Sequence, residues 1–302
     1  MFRFGLCCIF VEKPVRFRTT TAKTLLKLSP QKRLEKAGEL CLFNLQSLLR
    51  ALHFARELGI GAFRILSPLF PRFTHPEAGY TVEMLPNRDA LIQAMTDVRV
   101  AARSHDIRLS FHPDQFVVLN SHREEVVQKS IAELEYQAWL AEQLGAETIN
   151  IHVGGVYGDK IAGKERLVRV FPKLSTRCKR RLTLENDDIS YAPVDVAPIC
   201  ERLHIPFVYD VHHHRCLPDG LSVEEATGLC VASWVRRNRE PWFHISSPRH
   251  GWSAGDPKPH SDFIDVADVP EAWRQVSRAT VDVEAKAKEK AVVKLMQEWP
   301  FP

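Results

Sequence analysis

Short apolar or β-branched runs alternate along almost the whole chain with longer segments whose apolar positions recur three and four residues apart. The short runs predict strands near residues 3–8, 62–67, 107–112, 148–153, 182–185, 207–211, 242–246 and 280–285. The helical period marks helices over 42–58, 88–104, 124–144, 194–202 and 223–238. Junctions from helix to strand are short (ELGIGAF, SHDIRL, QLGAETI, RLHIPFV), which implies parallel strands joined by crossover helices. Eight such units in 302 residues predict an α/β chain folded as one closed (β/α)8 TIM barrel over 1–302, rather than an open doubly wound sheet or two domains. Two stretches break the rhythm. Residues 12–36 are rich in Lys and Arg, and 247–262 (SPRHGWSAGDPKPHSD) in Gly, Pro and Ser. Both follow a strand, so they are expected as long functional loops on the face where barrel active sites are built.

The ends of the predicted strands carry the chemistry. Six consecutive strands finish on an ionisable side chain: His112, His152, Glu185, Asp210, His244 and Glu284. Taken singly, each has a plain explanation, His152 as a hydrogen-bonded core histidine or Glu185 as the partner of an arginine. Barrel closure, however, brings all six around one axis, where three carboxylates and three imidazoles are costly without cations. A multinuclear divalent centre accounts for them, and mixed nitrogen and oxygen ligation suits Zn²⁺ or Mn²⁺ better than Ca²⁺. In the run His212, His213, His214, the spacing lets His213 converge with Asp210. His250 and His260 in the loop after strand seven are both open as further ligands. Two or three cations suit in-line displacement at phosphorus. Sugar isomerisation or epimerisation on a similar barrel is the competing chemistry, and the ligand count favours phosphodiester hydrolysis.

Composition narrows the partners. With 45% hydrophobic and 26% charged residues the chain is neither disordered nor fibrous, and its formal charge of +4 is too small to bind a polyanion by bulk charge. Any basic surface is therefore local. Candidate phosphate contacts on the active face are Lys13, Arg16, Arg18, Lys23 and Lys27, with Arg249 and Lys258 after strand seven. Two further clusters, Arg177, Lys179, Arg180, Arg181 and Arg236, Arg237, Arg239, precede strands, and are expected as solvated surface on the opposite face. Seven cysteines with no C-x-x-C pair are read as reduced thiols, and the apolar N-terminal stretch is broken too early by Glu12 and Lys13 for a signal peptide or membrane span. The expected setting is the cytoplasm, with no membrane association.

At these residues the sequence resembles the UV damage endonuclease family, a branch of the endonuclease IV-like metal-dependent barrels. The resemblance is carried by FRFGLCC, AFRILSPLFP, SFHPDQFVVLNS, INIHVGG, LTLENDD, VYDVHHH, FHISS, PHSDFID and VEAKAKEKAVVKL. It implies metal-dependent incision of double-stranded DNA immediately 5′ of cyclobutane dimers and 6-4 photoproducts, leaving a 3′-hydroxyl and a 5′-phosphate. Abasic and other distorting lesions are further candidate substrates. Two or three divalent ions are implied, Mn²⁺ favoured over Zn²⁺ or Mg²⁺. His112, His152 and Glu185 would hold one. Glu185 would bridge to a second held by Asp210, His244 and Glu284, and His213 with His260 would hold a third. Glu185, Glu284 and Lys286 are the implied catalytic set, with Lys286 reaching the scissile phosphate and Lys288 on a solvated helix face. Gln115 and Phe116 match the residues that enter the duplex at the lesion, although Phe116 within FVVL also reads as core. Arg64 and Ser67 match a family motif, Arg64 either as a phosphate contact or as a buried ion pair. Leu6 and Phe10 stand where family members often carry Tyr and Asn, and Trp242 where many carry Lys. The expected active unit is a monomer with no obligate protein partner. A DNA damage-binding protein with a degenerate centre is the non-enzymatic alternative.

Overall fold

A computed structural model describes residues 2–300. Eight strands, β1 (Phe2–Cys7), β2 (Ala62–Ile65), β3 (Arg108–Phe111), β4 (Thr148–His152), β5 (Leu182–Glu185), β6 (Phe207–Asp210), β7 (Trp242–Ile245) and β8 (Ala279–Val283), pair in chain order. All neighbours are parallel, and β1 pairs with β8 to close the barrel. Each strand from β2 to β8 is buried almost throughout, as expected where helices cover the outside and side chains fill the inside. The helices are α1 (Ala22–Leu26), α2 (Pro30–Glu57), α3 (Arg88–Ser104), α4 (Glu124–Leu144), α5 (Lys160–Val170), α6 (Thr176–Lys179), α7 (Pro193–Leu203), α8 (Val211–Cys216), α9 (Val223–Trp234) and α10 (Glu289–Glu298).

Local chemistry sets their ends. The Ser222 hydroxyl accepts from the Glu225 amide while the Glu225 carboxylate accepts from the Ser222 amide, a capping box that starts α9. Gly145, at φ 78°, ends α4 in the left-handed region and turns the chain into β4. The expected loop at 12–36 is partly helical, because α1 occupies its centre and α2 begins at Pro30 instead of residue 42. Pro30 is preset for a first helical position, but the first turns of α2 (PQKRLEK) are polar and carry no apolar period. Helix α9 stops at Trp234, four residues short of the expected end, and a 3₁₀ turn over Val235–Arg237 leads to Asn238 at φ 50°. The segment 247–262 is a loop, as expected. An antiparallel bridge between Pro248 and His260 ties its two ends together.

Leu6 and Phe10 are core residues; the Phe10 ring stacks on Phe63 with centroids 6.1 Å apart. Trp242 lies two residues before His244, on the same side of β7, and packs under the Arg108 guanidinium at 4.3 Å. All seven cysteines are free thiols. No helix among the described residues is long and apolar enough to cross a membrane.

Candidate metal centre

Strand register assembles the centre. His152 is paired with Glu185, and Asp210 with His244, so adjacent strands deliver their donors at one level. His112 and Glu284 follow β3 and β8 directly. Two groups of donors result, each with ligand atoms within 4.8 Å of one another: His112, His152 and Glu185, then Glu185, Asp210, His244 and Glu284. Glu185 belongs to both. Its Oε2 lies 3.0 Å from His112 Nε2, and its Oε1 lies 3.0 Å from His244 Nδ1 and 3.4 Å from His213 Nδ1.

His213 and His260 stand beside the second group. His213 Nδ1 is 3.5 Å from Asp210 Oδ2, and His260 Nδ1 is 3.8 Å from Glu284 Oε2, with the two rings 6.4 Å apart. Asp210 caps α8 by accepting the His213 amide at 2.8 Å, which turns the His213 ring inward. The neighbouring histidines serve elsewhere: His214 bridges Tyr209 and Asp219, and His212 meets the Lys258 carbonyl at 3.2 Å. Arg249 and His250 are exposed in the loop, so of its two histidines only His260 approaches the cluster.

The residues fit bound cations. Glu185 Oε1, Asp210 Oδ2 and His152 Nδ1 are buried and lack a hydrogen-bond partner, the expected signature of atoms reserved for a metal. Burial alone would raise the Glu185 pKa, but the imidazoles of His244, His152, His112 and His213 around it hold it well below the carboxylate range. Burial opposes charge on Glu284 too, and there Arg64 and His244 prevail to keep it ionised. The same carboxylates raise His213, chiefly through Asp210, and His244, chiefly through Glu185, against burial. Burial lowers His152. Ligation by His213 and His244 would require both imidazoles to be neutral, so their raised pKa values work against metal binding at low pH.

An outer layer orients these ligands. Asn150 Nδ2 donates to Glu185 Oε2, and Thr183 donates to Asn150 Oδ1 at 2.9 Å. Asn186 clasps the end of β6, accepting from the Asp210 amide at 3.0 Å and donating to the Asp210 carbonyl at 2.8 Å. Arg64 is buried, with Nη2 at 2.7 Å from Glu284 Oε1 and 3.0 Å from Asp282 Oδ2. The phosphate-contact reading of Arg64 therefore gives way to the ion pair. Ser67 is likewise turned inward, its hydroxyl donating to the His112 carbonyl at 2.9 Å. Asn150, Asn186 and Asp282 are absent from the residues expected on sequence grounds. The available signal was a polar residue at or inside the end of an apolar strand, as in INIH and VDVE.

Around the mouth, Gln115 and Phe116 project from the loop after β3. Phe116 is 76% exposed, which excludes the core alternative. It borders a groove of about 1020 Å³ shared with Phe70, Phe73 and Tyr136. Ile9, Tyr157, Ile189 and Trp252 are further exposed apolar side chains in the strand-to-helix loops. Arg16 is exposed, Arg18 lies over the Phe43 ring at 3.9 Å, and Lys258 faces Asp188 at 3.9 Å. Lys286 is exposed beside the cluster, its amide bonded to the Ser261 carbonyl at 3.0 Å.

The crystal structure of SacUVDE superposes with a TM-score of 0.84 at 30% identity, covering 99% of each chain. The UV DNA damage endonuclease of Nostoc sp. (strain PCC 7120) is 35% identical over 305 residues, covering 98% of this chain and 89% of the relative. Endonuclease IV from Thermus thermophilus shares the fold at a TM-score of 0.60 and 17% identity, covering 98% of each chain. The family model of the UV-endonuclease UvdE matches residues 2–301, and the chain belongs to that family.

Proposed function

We propose that this chain is a DNA-repair endonuclease that nicks damaged duplex DNA immediately 5′ of cyclobutane dimers and 6-4 photoproducts, and of abasic or other distorting lesions. The carrying observation is the pair of donor groups sharing Glu185 at the barrel mouth, next to an aromatic side chain left exposed.

His112, His152 and Glu185 would hold one cation, Glu185, Asp210, His244 and Glu284 a second, and His213 with His260 a third, with Mn²⁺ favoured over Zn²⁺ or Mg²⁺. Bound divalent ions would supply Lewis-acid polarisation of the scissile phosphate and an acidified water. Hydrolysis breaks the P–O3′ bond, so the oxygen of water ends on the 5′-phosphate and O3′ leaves as a hydroxyl. The chain's own contribution is placement. Asn150 and Arg64 fix the bridging and terminal carboxylates, Glu185 and Glu284, against rotation. Lys286 reaches toward the scissile phosphate. Phe116 and Gln115 enter the stack where the lesion is extruded, replacing lost stacking. Arg16, Arg18, Arg249 and Lys258 hold backbone phosphates on the rim. One chain carries every ligand, so the active unit is taken as a monomer.

The test is nicking of supercoiled plasmid by purified protein with Mn²⁺. Irradiated plasmid is expected to be relaxed and unirradiated plasmid to be spared. Equal nicking of both, or none with any divalent metal, refutes the reading.

A further inference from the structure

The arginines that precede β5 and β7 lie on the face opposite the metal centre, as expected, and Arg180, Arg236 and Arg239 are exposed, but Arg177, Arg181 and Arg237 are partly buried. Arg177, Arg180, Arg181, Arg237 and Arg239 line one concavity of about 510 Å³ at the N-terminal ends of the strands, opposite the metal centre. Only two carboxylates, Glu142 and Glu147, share that lining. Glu142 pairs with Arg177 at 2.8 Å. Glu147 is held at 3.0 Å by the buried Arg108, and Arg239 reaches it only at 3.8 Å. The pocket therefore keeps an excess of positive charge.

Arg181 and Arg237 are the decisive pair, because both are half-buried and neither makes an ion pair with a carboxylate. Their observed bonds go to backbone carbonyls: Arg181 to Ala146 and Arg177, each at 3.2 Å, and Arg237 to Lys179 at 3.3 Å. A guanidinium has five N–H donors, so most of theirs remain for a ligand. Burial, followed by neighbouring arginines, pulls both below the ordinary arginine pKa, Arg181 despite Glu142. Arginine stays protonated under these conditions, so an anion would relieve the repulsion.

We propose that this pocket is a second, non-catalytic site that binds the phosphate group of a small molecule. Planar guanidinium forks match tetrahedral oxyanions in bidentate fashion, and the volume suits a small ligand. A duplex seated on the catalytic mouth cannot reach the opposite end of the same barrel.

The test uses metal-loaded protein freed of excess metal and titrated calorimetrically with inorganic phosphate at fixed ionic strength. Arg181→Gln/Arg237→Gln is expected to lose one class of sites, with affinity there at least tenfold weaker, while nicking of irradiated plasmid is unchanged. Phosphate should also slow phenylglyoxal modification of Arg181 and Arg237 in the wild-type protein, mapped by peptide mass spectrometry. That arm decides the matter if the double variant fails to fold. AMP run in parallel separates the sources: tighter binding than phosphate assigns a nucleotide, weaker binding the free anion. Identical titrations and unprotected arginines overturn the proposal. So does protection by damaged duplex DNA but not by phosphate, which would make this face a DNA surface.

Discussion

Gly5 and Asp282 share one space across the β1–β8 seam: a Cβ on Gly5 would collide with Asp282 Oδ1. The two residues are register partners, and Asp282 cannot swing away freely because its Oδ2 is held by Arg64. Gly5→Ala is expected to cost about 1–3 kcal/mol, the usual penalty for overpacking a core. It should also loosen Arg64 from Glu284 and weaken metal binding. Urea unfolding and Mn²⁺ titration check both effects, and unchanged values in both would show that Asp282 has room to move.

Glu185 is the only residue common to both donor groups. Glu185→Gln keeps its volume and removes its charge, so both cation sites should weaken together and plasmid nicking should fall by roughly a thousandfold or more. His112→Ala should affect mainly the first group and Glu284→Gln the second. Chelation should silence the native protein and Mn²⁺ should restore it. Nicking by Glu185→Gln at a rate near wild type would remove the bridging role.

Phe116→Ala separates lesion probing from cleavage. The side chain is solvated in the free protein, so thermal stability should change by no more than about 0.5 kcal/mol. Stacking of an aromatic on a base is worth about 1–3 kcal/mol, so preference for irradiated over intact duplex should drop roughly tenfold. Metal content should be unchanged. Binding measured on both duplexes, with metal analysis, tests the separation.

Asp219 makes stability sensitive to acid. Its carboxylate accepts the Val194 amide at 2.7 Å and the Leu221 amide at 3.0 Å, and pairs with His214 at 3.0 Å. Burial would raise its pKa, but these bonds outweigh burial and hold it below its ordinary 3.8. A depressed carboxylate contributes stability that is fully present above 3.8 and is lost as pH falls through the folded value. Asp219→Asn should therefore melt lower than wild type at pH 6, and the gap should begin to narrow near pH 3.8 and close only once the pH has fallen through the lower folded value. A gap that persists in acid would assign the effect to shape rather than charge.

Much of the site was readable from the sequence because parallel barrel strands are buried on both sides, leaving ionisable residues conspicuous in apolar runs such as INIH, LTLE and FVYD. The ring of six donors follows from that contrast alone. What stayed hidden depends on partners far apart in the chain. Arg64 meets Glu284 and Asp282 only when β2 and β8 flank β1, so its role could not be chosen from local pattern. His250 and His260 are separated by a loop whose closing bridge has no sequence signature. Phe116 lies in an apolar run, and only the loop geometry turns it out to solvent. The first turns of α2 are polar and mostly exposed, so no apolar period announces them; Leu34 alone packs on the core and Arg33 bonds to the Leu25 and Glu77 carbonyls.

The β1–β8 pairing joins the two ends of the chain, with Phe2 opposite Ala279. Contacts of such long sequence separation form late in folding, since loop closure must precede them. The first donor group is complete once β3, β4 and β5 are side by side, whereas the second waits for β8. A chain cut short before β8 would therefore keep the donors of the first group together and lack Glu284 from the second.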